Sequence, residues 1–523
     1  MILISSAAYV EQDLAVEVGR LPPAFLPIGN KRLYEYQIEL LKVYGKEIFL
    51  SLPSTFNVPM HDLEILSSLG VTVIKVPDGL TLGNSVVFSW SSSGKLFTDL
   101  SILHGDTLFL NQEYQKLDSL SVHRNEGAYH RAQVRFGAKE GDHYGTAFVE
   151  EGELVVSGLF RFSNPQKLMQ GILKNNGDFI KGLQAYSTAV GLSDVENGDW
   201  LDFGHLNSFF NSRSKMTTQR SFNMLSISPR QVTKSSNDLL KMKAEWSWFS
   251  NLPKALTLHT PALLSSFNES EGLGKYKLEY LYLLPLNDLM VFGCLSDANW
   301  RTIIEAAGSI ISDFSRFGCN DTSLDELDAL YLPKTIKRLR SIKSWDFSGD
   351  SENKKIYDRE YLESLAERVG KYITPTSRAR VAIVHGDFCF SNILYDSRTQ
   401  SLKLIDPRGI DANGKLSIYG DQRYDVAKLF HSVVAGYDYI ISGRYVIEDD
   451  KIFFYDEAKE SILYDEFDRV FSNGLGFNMK EIIAINIHLF LLMIALHADR
   501  PDRQKAMLLN VHRLIDKYLK DMK

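Results

Sequence analysis

The segment IVHGDFCFSNIL, residues 383–394, sets His385, Asp387 and Asn392 directly after an apolar run, and LKLIDPRG at 402–409 adds Asp406. Four residues separate Asp387 from Asn392, and Asp406 follows Asn392 by 14. A strand, a tight loop and a hairpin with this spacing return the three polar groups to one point. Their types meet the needs of phosphoryl transfer: one carboxylate to orient and deprotonate a hydroxyl, an Asn and a second carboxylate to hold Mg²⁺ on phosphates. The same chemistry wants a strand lysine on the α- and β-phosphates, held by a helix glutamate. RQVTKSS supplies Lys234 and KMKAEWSWF supplies Glu245, with Lys241 and Lys243 as competitors for the lysine role. LEYLYLLPLND, 278–288, is then the expected hinge strand, offering backbone groups to adenine.

A second pair of acids stands in the first half of the chain. Asp106 ends a buried run in LHGDTLF, and Asp202 sits in WLDFGHLNSF nearly a hundred residues later. Two carboxylates at strand ends of an α/β sheet suit one Mg²⁺ bound to a triphosphate, because Mg²⁺ takes oxygen ligands in octahedral geometry.

These groups need elements to hold them. The first hundred residues alternate short apolar runs (MILISS, EIFLSLP, VTVIKVP, DLSILHGDTLFL) with helical patterns (RLYEYQIELLKVYG, DLEILSSLG), the signature of βαβ units and a mostly parallel sheet. From about 145 the pattern changes to strand pairs and loops. MLSISPRQVTKSS begins a new alternating segment, which places a domain boundary at 222–225. Beyond 300 the chain reads as mostly helical up to the HGD segment, and helical again from about 425.

Bulk properties narrow the class. A chain of 523 residues is too long for one ordinary core, and 44% hydrophobic with 24% charged residues is globular composition. A net charge of −7 without a long basic run argues against nucleic acid and against a polybasic membrane anchor, leaving a small molecule as the partner. Cys294, Cys319 and Cys389 are widely spaced, with no CxxC pair, so neither a disulfide framework nor a zinc site is expected, and a reducing cytoplasm fits. MILISSAAYV has no basic n-region and too short an apolar run for a signal peptide. IIAINIHLFLLMIAL at 482–496 falls short of the ~20 residues that span a bilayer, carries Asn486 and His488, and reads as a buried helix.

Residues 223–523 resemble the aminoglycoside phosphotransferase and choline kinase family, whose catalytic loop reads HGD with an Asn five residues after the Asp, followed by a strand ending in ID. The resemblance makes Asp387 the catalytic base, Asn392 and Asp406 the Mg²⁺ ligands, and Asp425 in YGDQRYDVAKL a structural carboxylate under the loop. DFCFSN departs from the commoner loop with His, Pro and Gly. Arg408 directly after the metal Asp suits a phosphate or carboxylate on the acceptor, or equally a surface acid. His497, Asp499 and Arg500 read as a helix-end cluster or as acceptor contacts.

Residues 1–222 resemble the sugar-phosphate nucleotidyltransferases. By that likeness Asp106 and Asp202 are metal ligands, Gly83, Asn84 and Ser85 in DGLTLGNSVVF contact a base and ribose, and SGLFRFS at 157–163 is the strand beside a sugar pocket. The departures are large: SSAAYVEQDLAVEVGR replaces a Gly-rich loop ending in Arg, Pro23 stands at a catalytic Lys, and EEGE near 150 replaces another. Arg20, Lys31, Arg131 and Arg135 are the candidate replacements. The expectation is therefore an α/β protein with a Rossmann-like, GT-A-like nucleotidyltransferase domain followed by a bilobal protein-kinase-like domain. The resemblances imply a bifunctional cytoplasmic enzyme of surface-glycan or capsule polysaccharide synthesis. It would phosphorylate a sugar, polyol or amino alcohol with ATP and Mg²⁺, then join that phosphate to a nucleotide from a second nucleoside triphosphate. The alternative is a kinase whose N-terminal domain binds nucleotide or sugar without turning it over. Oligomeric state is left open.

Overall fold

The computed structural model describes residues 1–111, 115–124, 131–140, 143–149, 153–196, 198–216, 224–270, 272–342, 357–411, 413–454 and 457–520, with the side chains of 135–149, 224 and 457 excepted. The protein is mixed α/β and divides into two units, Met1–Met216 with Phe292–Cys294, and Thr217–Val291 with Leu295–Lys523. Of the expected boundary at 222–225, residues 222 and 223 lie outside the described residues.

In the first unit, strands Val71–Val76, Ile48–Pro53, Ile2–Ser5 and Leu100–His104 lie side by side in that order, all parallel. Leu154–Phe162 continues the sheet antiparallel to Leu100–His104. The alternation of strand and helix patterns forces this topology, since parallel neighbours need a crossover. Every residue of Ile48–Pro53 is buried, as expected of a strand covered on both faces. At the edge, Val71–Val76 exposes Thr72 and Lys75, and a lysine on an edge strand discourages pairing with another chain. Leu3, Phe49, Ile102, Phe160 and Leu168 belong to the core of this unit. After Leu100–His104 the chain turns through Gly105 and Asp106 into Thr107–Leu110, which pairs antiparallel with Asp199–Asp202 and sets Asp202 opposite Thr107.

The second unit opens with a four-stranded antiparallel sheet in the order Met224–Ile227, Gln231–Ser236, Leu273–Glu279, Asn268–Ser270. Helix Leu239–Asn251 packs on it. Asp238 caps that helix by accepting from the Lys241 N–H, and Pro253 follows its end. Met242, Glu245, Trp248 and Phe249 form its buried stripe at helical spacing. Leu284–Pro285, Ile393–Asp396 and Ser401–Leu404 make a three-stranded sheet, and Val381–Ile383 pairs with Tyr419–Asp421. The segment expected as a hinge runs from Leu273–Glu279, through residues without regular structure, into Leu284–Pro285, which pairs with Leu394 and Tyr395.

Helices make up most of the rest. Met479–Leu496 is long and apolar enough to cross a membrane by length and composition, yet 78% of it is buried inside the protein. Inside, Asn486 donates to the Ala427 carbonyl at 3.0 Å and His488 Nδ1 meets the Thr335 hydroxyl at 3.0 Å, while Asn486 Oδ1 and His488 Nε2 are buried without a hydrogen-bond partner among the described residues. One expectation needs correction, because the stretch after 425 is not helical throughout. Tyr445–Glu448 and Lys451–Phe454 form a hairpin whose two-residue turn, Asp449 and Asp450, has both φ angles positive. Such turns match the twist of the flanking strands, and Asp tolerates the left-handed conformation.

Candidate functional site

The HGD loop is held from below by one carboxylate. Asp425, fully buried on helix Gln422–Val433, accepts from the backbone N–H of His385 at 2.6 Å and of Gly386 at 2.8 Å. Burial pushes its carboxyl up to about 7, against the pull of these two N–H groups. Gly386 has φ +78° and lies so close to Arg408 that a Cβ would stand 2.7 Å from the Arg408 Cβ, so glycine is required on both counts. His385 makes an Nε2 contact with the Ile405 carbonyl at 3.0 Å, and burial lowers it to about 4, leaving a neutral ring that ties the loop to the strand before Asp406. Trp248 Nε1 donates to the Val384 carbonyl at 2.7 Å.

Above this base, Asp387 and Asn392 meet. The Asn392 amide donates to the Asp387 carbonyl and to Asp387 Oδ2, both at 3.0 Å. Lys428 pairs with the other carboxylate oxygen, Oδ1, at 2.9 Å. Desolvation pushes the Asp387 carboxyl up, but Lys428 and then Arg408 outweigh it and hold the group far below the usual range. Lys428 is a candidate site residue that the sequence reading missed. Its signal is its place three residues after Asp425, on the same helix face. Replacing Lys428 by Met removes the main cation from the Asp387 carboxylate. Its pKa then rises, and each unit represents about 1.4 kcal/mol. The acid limb of kcat/KM for phosphoryl transfer is expected to move up by at least about one unit; a pH–rate profile of both proteins checks it.

Lys234 is buried on strand Gln231–Ser236, opposite Tyr276. Its ammonium bonds Glu245 Oε2 and, at 2.8 Å, Asp406 Oδ1. Tyr276 donates to the same Glu245 oxygen at 2.8 Å. Burial alone would lower Lys234, but Asp406 and Glu245 hold it above the ordinary lysine range, so the ammonium stays charged. Lys241 and Lys243 are exposed, which decides among the three lysines. Asp406 itself adopts φ +59°. Three residues on, Gly409 at φ +67° packs against helix Leu239–Asn251: a Cβ there would meet the Ala244 carbonyl oxygen at 2.1 Å.

The donor set fits Mg²⁺. The Asn392 amide nitrogen is committed to Asp387, its side-chain oxygen accepts from the Ser391 hydroxyl at 3.3 Å, and Ile405 N–H bonds the Asn392 carbonyl at 3.0 Å, keeping the Asp406 turn alongside. Among the described residues no three His, Cys, Asp or Glu side chains gather as a metal cage. Mg²⁺ needs none, because it is held by one or two protein oxygens together with phosphates and water. Arg500, half-exposed, engages Asp502 with its fork at 2.9 and 2.7 Å at a helix start.

In the first unit Asp106 and Asp202 converge around Gly204, where a Cβ would lie 2.4 Å from Asp106 Oδ2 and 3.2 Å from Asp202 Oδ1. Burial raises the Asp106 carboxyl, opposed by His104 and aided by Asp202. Asp202 accepts from Gly204 N–H at 2.8 Å, has His205 Nδ1 at 3.2 Å, and forms an ion pair with Arg131. Arg131, whose guanidinium also covers the Trp200 ring at 4.9 Å, is thus the candidate replacement cation brought to the acids. Arg20 lies over Tyr9 and Lys31 over Tyr36, while the Arg135 side chain and Glu150 to Gly152 lie outside the described parts. A cavity of about 220 Å³ is lined by Ser5, Ser6, Pro23, Ser85, His104 and Asp106 among others. Of the three expected base-contacting residues, Ser85 lines it. Gly83 lets helix Leu82–Ser92 approach Gly177, whose carbonyl oxygen would be 2.5 Å from a Cβ, and the Asn84 side chain packs on Gly177.

No protein-family model matches the chain, and no curated protein matches it. Solved structures resemble parts of it. A nucleoside-diphosphate-sugar pyrophosphorylase from Vibrio cholerae is 13% identical, covering 41% of this chain and 99% of its own, with a TM-score of 0.34. An aminoglycoside phosphotransferase solved with GDP and kanamycin is 14% identical over 58% of this chain and 92% of its own, at 0.36. One from Streptomyces rimosus is 16% identical over 56% and 91%, at 0.33. At these scores the likeness carries no argument, and the assignment rests on the geometry.

Proposed function

We propose that the second unit is a bilobal, protein-kinase-like phosphotransferase that moves the γ-phosphoryl group of ATP to a hydroxyl of a small sugar, polyol or amino alcohol. The observation that carries this is the convergence of Asp387, Asn392 and Asp406 with the buried Lys234–Glu245 pair. Lys234 binds the α- and β-phosphates, with Glu245 and Tyr276 fixing its position. Asn392 and Asp406 would hold Mg²⁺, which would neutralise charge on the phosphates. Asp387 accepts the hydroxyl proton. The acceptor oxygen bonds to the γ-phosphorus, the bond from that phosphorus to its β-bridging oxygen breaks, and the electron pair leaves on ADP. A carboxylate held as low as Asp387 is a weak base, so it serves first to aim the hydroxyl, and the proton moves late. Purified protein with Mg²⁺, the common nucleoside triphosphates and a pooled set of sugars, polyols and amino alcohols tests this by mass spectrometry. Absence of any phosphoryl gain sinks the reading.

For the first unit we propose a Rossmann-like, GT-A-like nucleotidyltransferase fold, with nucleotidyl transfer onto the resulting phosphate in the cavity beside Asp106. The two activities in one chain suit the supply of activated units for surface glycan. The Arg131–Asp202 ion pair favours a second reading, a unit that binds nucleotide or sugar phosphate without turnover, because the guanidinium stands where a metal would contact Asp202. Asp106→Ala separates the two. Under the first reading pyrophosphate release from sugar phosphate and triphosphate falls by about 10²-fold or more, while phosphoryl transfer by the second unit is unchanged. An unchanged pyrophosphate rate removes the nucleotidyltransferase site.

A further inference from the structure

The two oxygens of Asp387 face different surroundings. Oδ2 receives the Asn392 amide at 3.0 Å on the metal side, and Oδ1 receives Lys428 at 2.9 Å. The Lys428 side is crowded with cations. Arg408 donates to the Tyr424 hydroxyl at 2.8 Å and lies over that ring at 4.7 Å, one turn from Lys428 on helix Gln422–Val433. Lys334 and Arg338, one turn apart on helix Leu332–Arg340, approach the same place: Lys334 is within electrostatic reach of Tyr424, Arg408, Arg338 and Lys428. Burial, and then the crowding of Arg408, Arg338 and Lys428, hold Lys334 below the ordinary lysine range against the pull of Tyr424. Among the described residues, none of Lys334, Arg338 and Arg408 has a carboxylate within ion-pair distance.

Four cations thus stand against the single half-exposed carboxylate of Asp387 and the buried Asp425. The phosphates of ATP do not require them under the kinase reading, since Lys234, Asn392 and Asp406 are already assigned to the nucleotide and its metal. Like charges held together in a partly buried cleft focus a field that draws an anion, and a planar guanidinium suits a carboxylate or phosphate in particular. Resting on the kinase reading above, we propose that the acceptor carries, besides its reacting hydroxyl, an anionic group, a carboxylate or a phosphate, that seats against Arg408 and Lys334. A sugar acid or a sugar phosphate meets this description, and a bare amino alcohol does not.

The full chain is incubated with ATP, Mg²⁺ and four pools built on the same sugar and polyol scaffolds: neutral, aminated, carboxylated and phosphorylated. Phosphoryl gain is followed by mass spectrometry. The expected gain lies in the carboxylated or the phosphorylated pool, and whichever of the two it is names the anion. Arg408→Gln and Lys334→Gln are each expected to raise the acceptor KM by about tenfold with the KM for ATP within about twofold, and Arg408→Lys recovers part of the loss. Unchanged melting temperatures establish that both variants are folded. Gain confined to the neutral or aminated pools overturns the anionic acceptor and leaves the kinase standing. An acceptor KM unmoved in both folded variants overturns it as well. No gain in any pool overturns the kinase reading and this proposal with it.

Discussion

Asp387→Asn is expected to lower the rate of phosphoryl transfer by about 10²- to 10⁴-fold, the range that a positioned general base contributes. The substitution keeps the size of the side chain and a carbonyl oxygen for the Asn392 amide. It removes the proton acceptor and the counter-ion of Lys428 together. Binding of ATP with Mg²⁺ is expected to stay within a few-fold of wild type, because Lys234, Asn392 and Asp406 are untouched. Stopped-flow or single-turnover kinetics, with nucleotide affinity from calorimetry, checks both halves. Wild-type turnover in a folded variant would falsify the assignment of Asp387, while loss of ATP binding alone would move Asp387 to the nucleotide side.

The second large effect belongs to Lys234, and it falls on stability as well as rate. Lys234→Met leaves Glu245 buried with Tyr276 as its remaining partner, and an unpaired buried charge costs about 3–5 kcal/mol. Glu245 then takes up a proton more readily, since desolvation already pushes its carboxyl up and the opposing cation has gone. A carboxyl whose folded pKa lies above its unfolded value favours folding below the unfolded value, near pH 4, and that contribution is lost as pH rises through the folded value. Lys234→Met should therefore be markedly less stable at pH 8 than at pH 5 when compared with wild type. Adding Glu245→Leu should recover much of the stability without recovering turnover. Denaturant melts at the two pH values check this. A single variant equally stable at both would show that Glu245 is not left charged.

Much of this was legible in the sequence, for physical reasons that differ by element. Ile48–Pro53 and Leu100–His104 announce themselves because strands buried on both faces must be continuously apolar. The spacing of Asp387 and Asn392 is legible because a five-residue turn is local: the chain between them leaves few places for their side chains to go. What depended on distant contacts was not legible. Lys234, Lys241 and Lys243 differ by burial and by a carboxylate arriving from residue 406, neither of which is written locally. Lys428 looks like any helix lysine until Gln422–Val433 is laid under the loop. Gly83 reads as a ligand-contacting glycine, yet its lack of a side chain serves the approach of Gly177. The hairpin at Tyr445–Phe454 hides between helices because its turn is made by two Asp residues and no Gly.

The close seat of Gly409 on Ala244 has a mechanical consequence. Ala244 precedes Glu245, and Gly409 follows Asp406 by three residues, so the contact joins the helix that fixes Lys234 to the turn that carries Asp406, and the Trp248 bond to Val384 joins the same helix to the start of the HGD loop. Helix Leu239–Asn251 is thus tied to the loop region at two points. On the kinase reading proposed above, nucleotide meets Lys234 and Asp406 already joined, so that less of its binding energy is consumed in bringing them together.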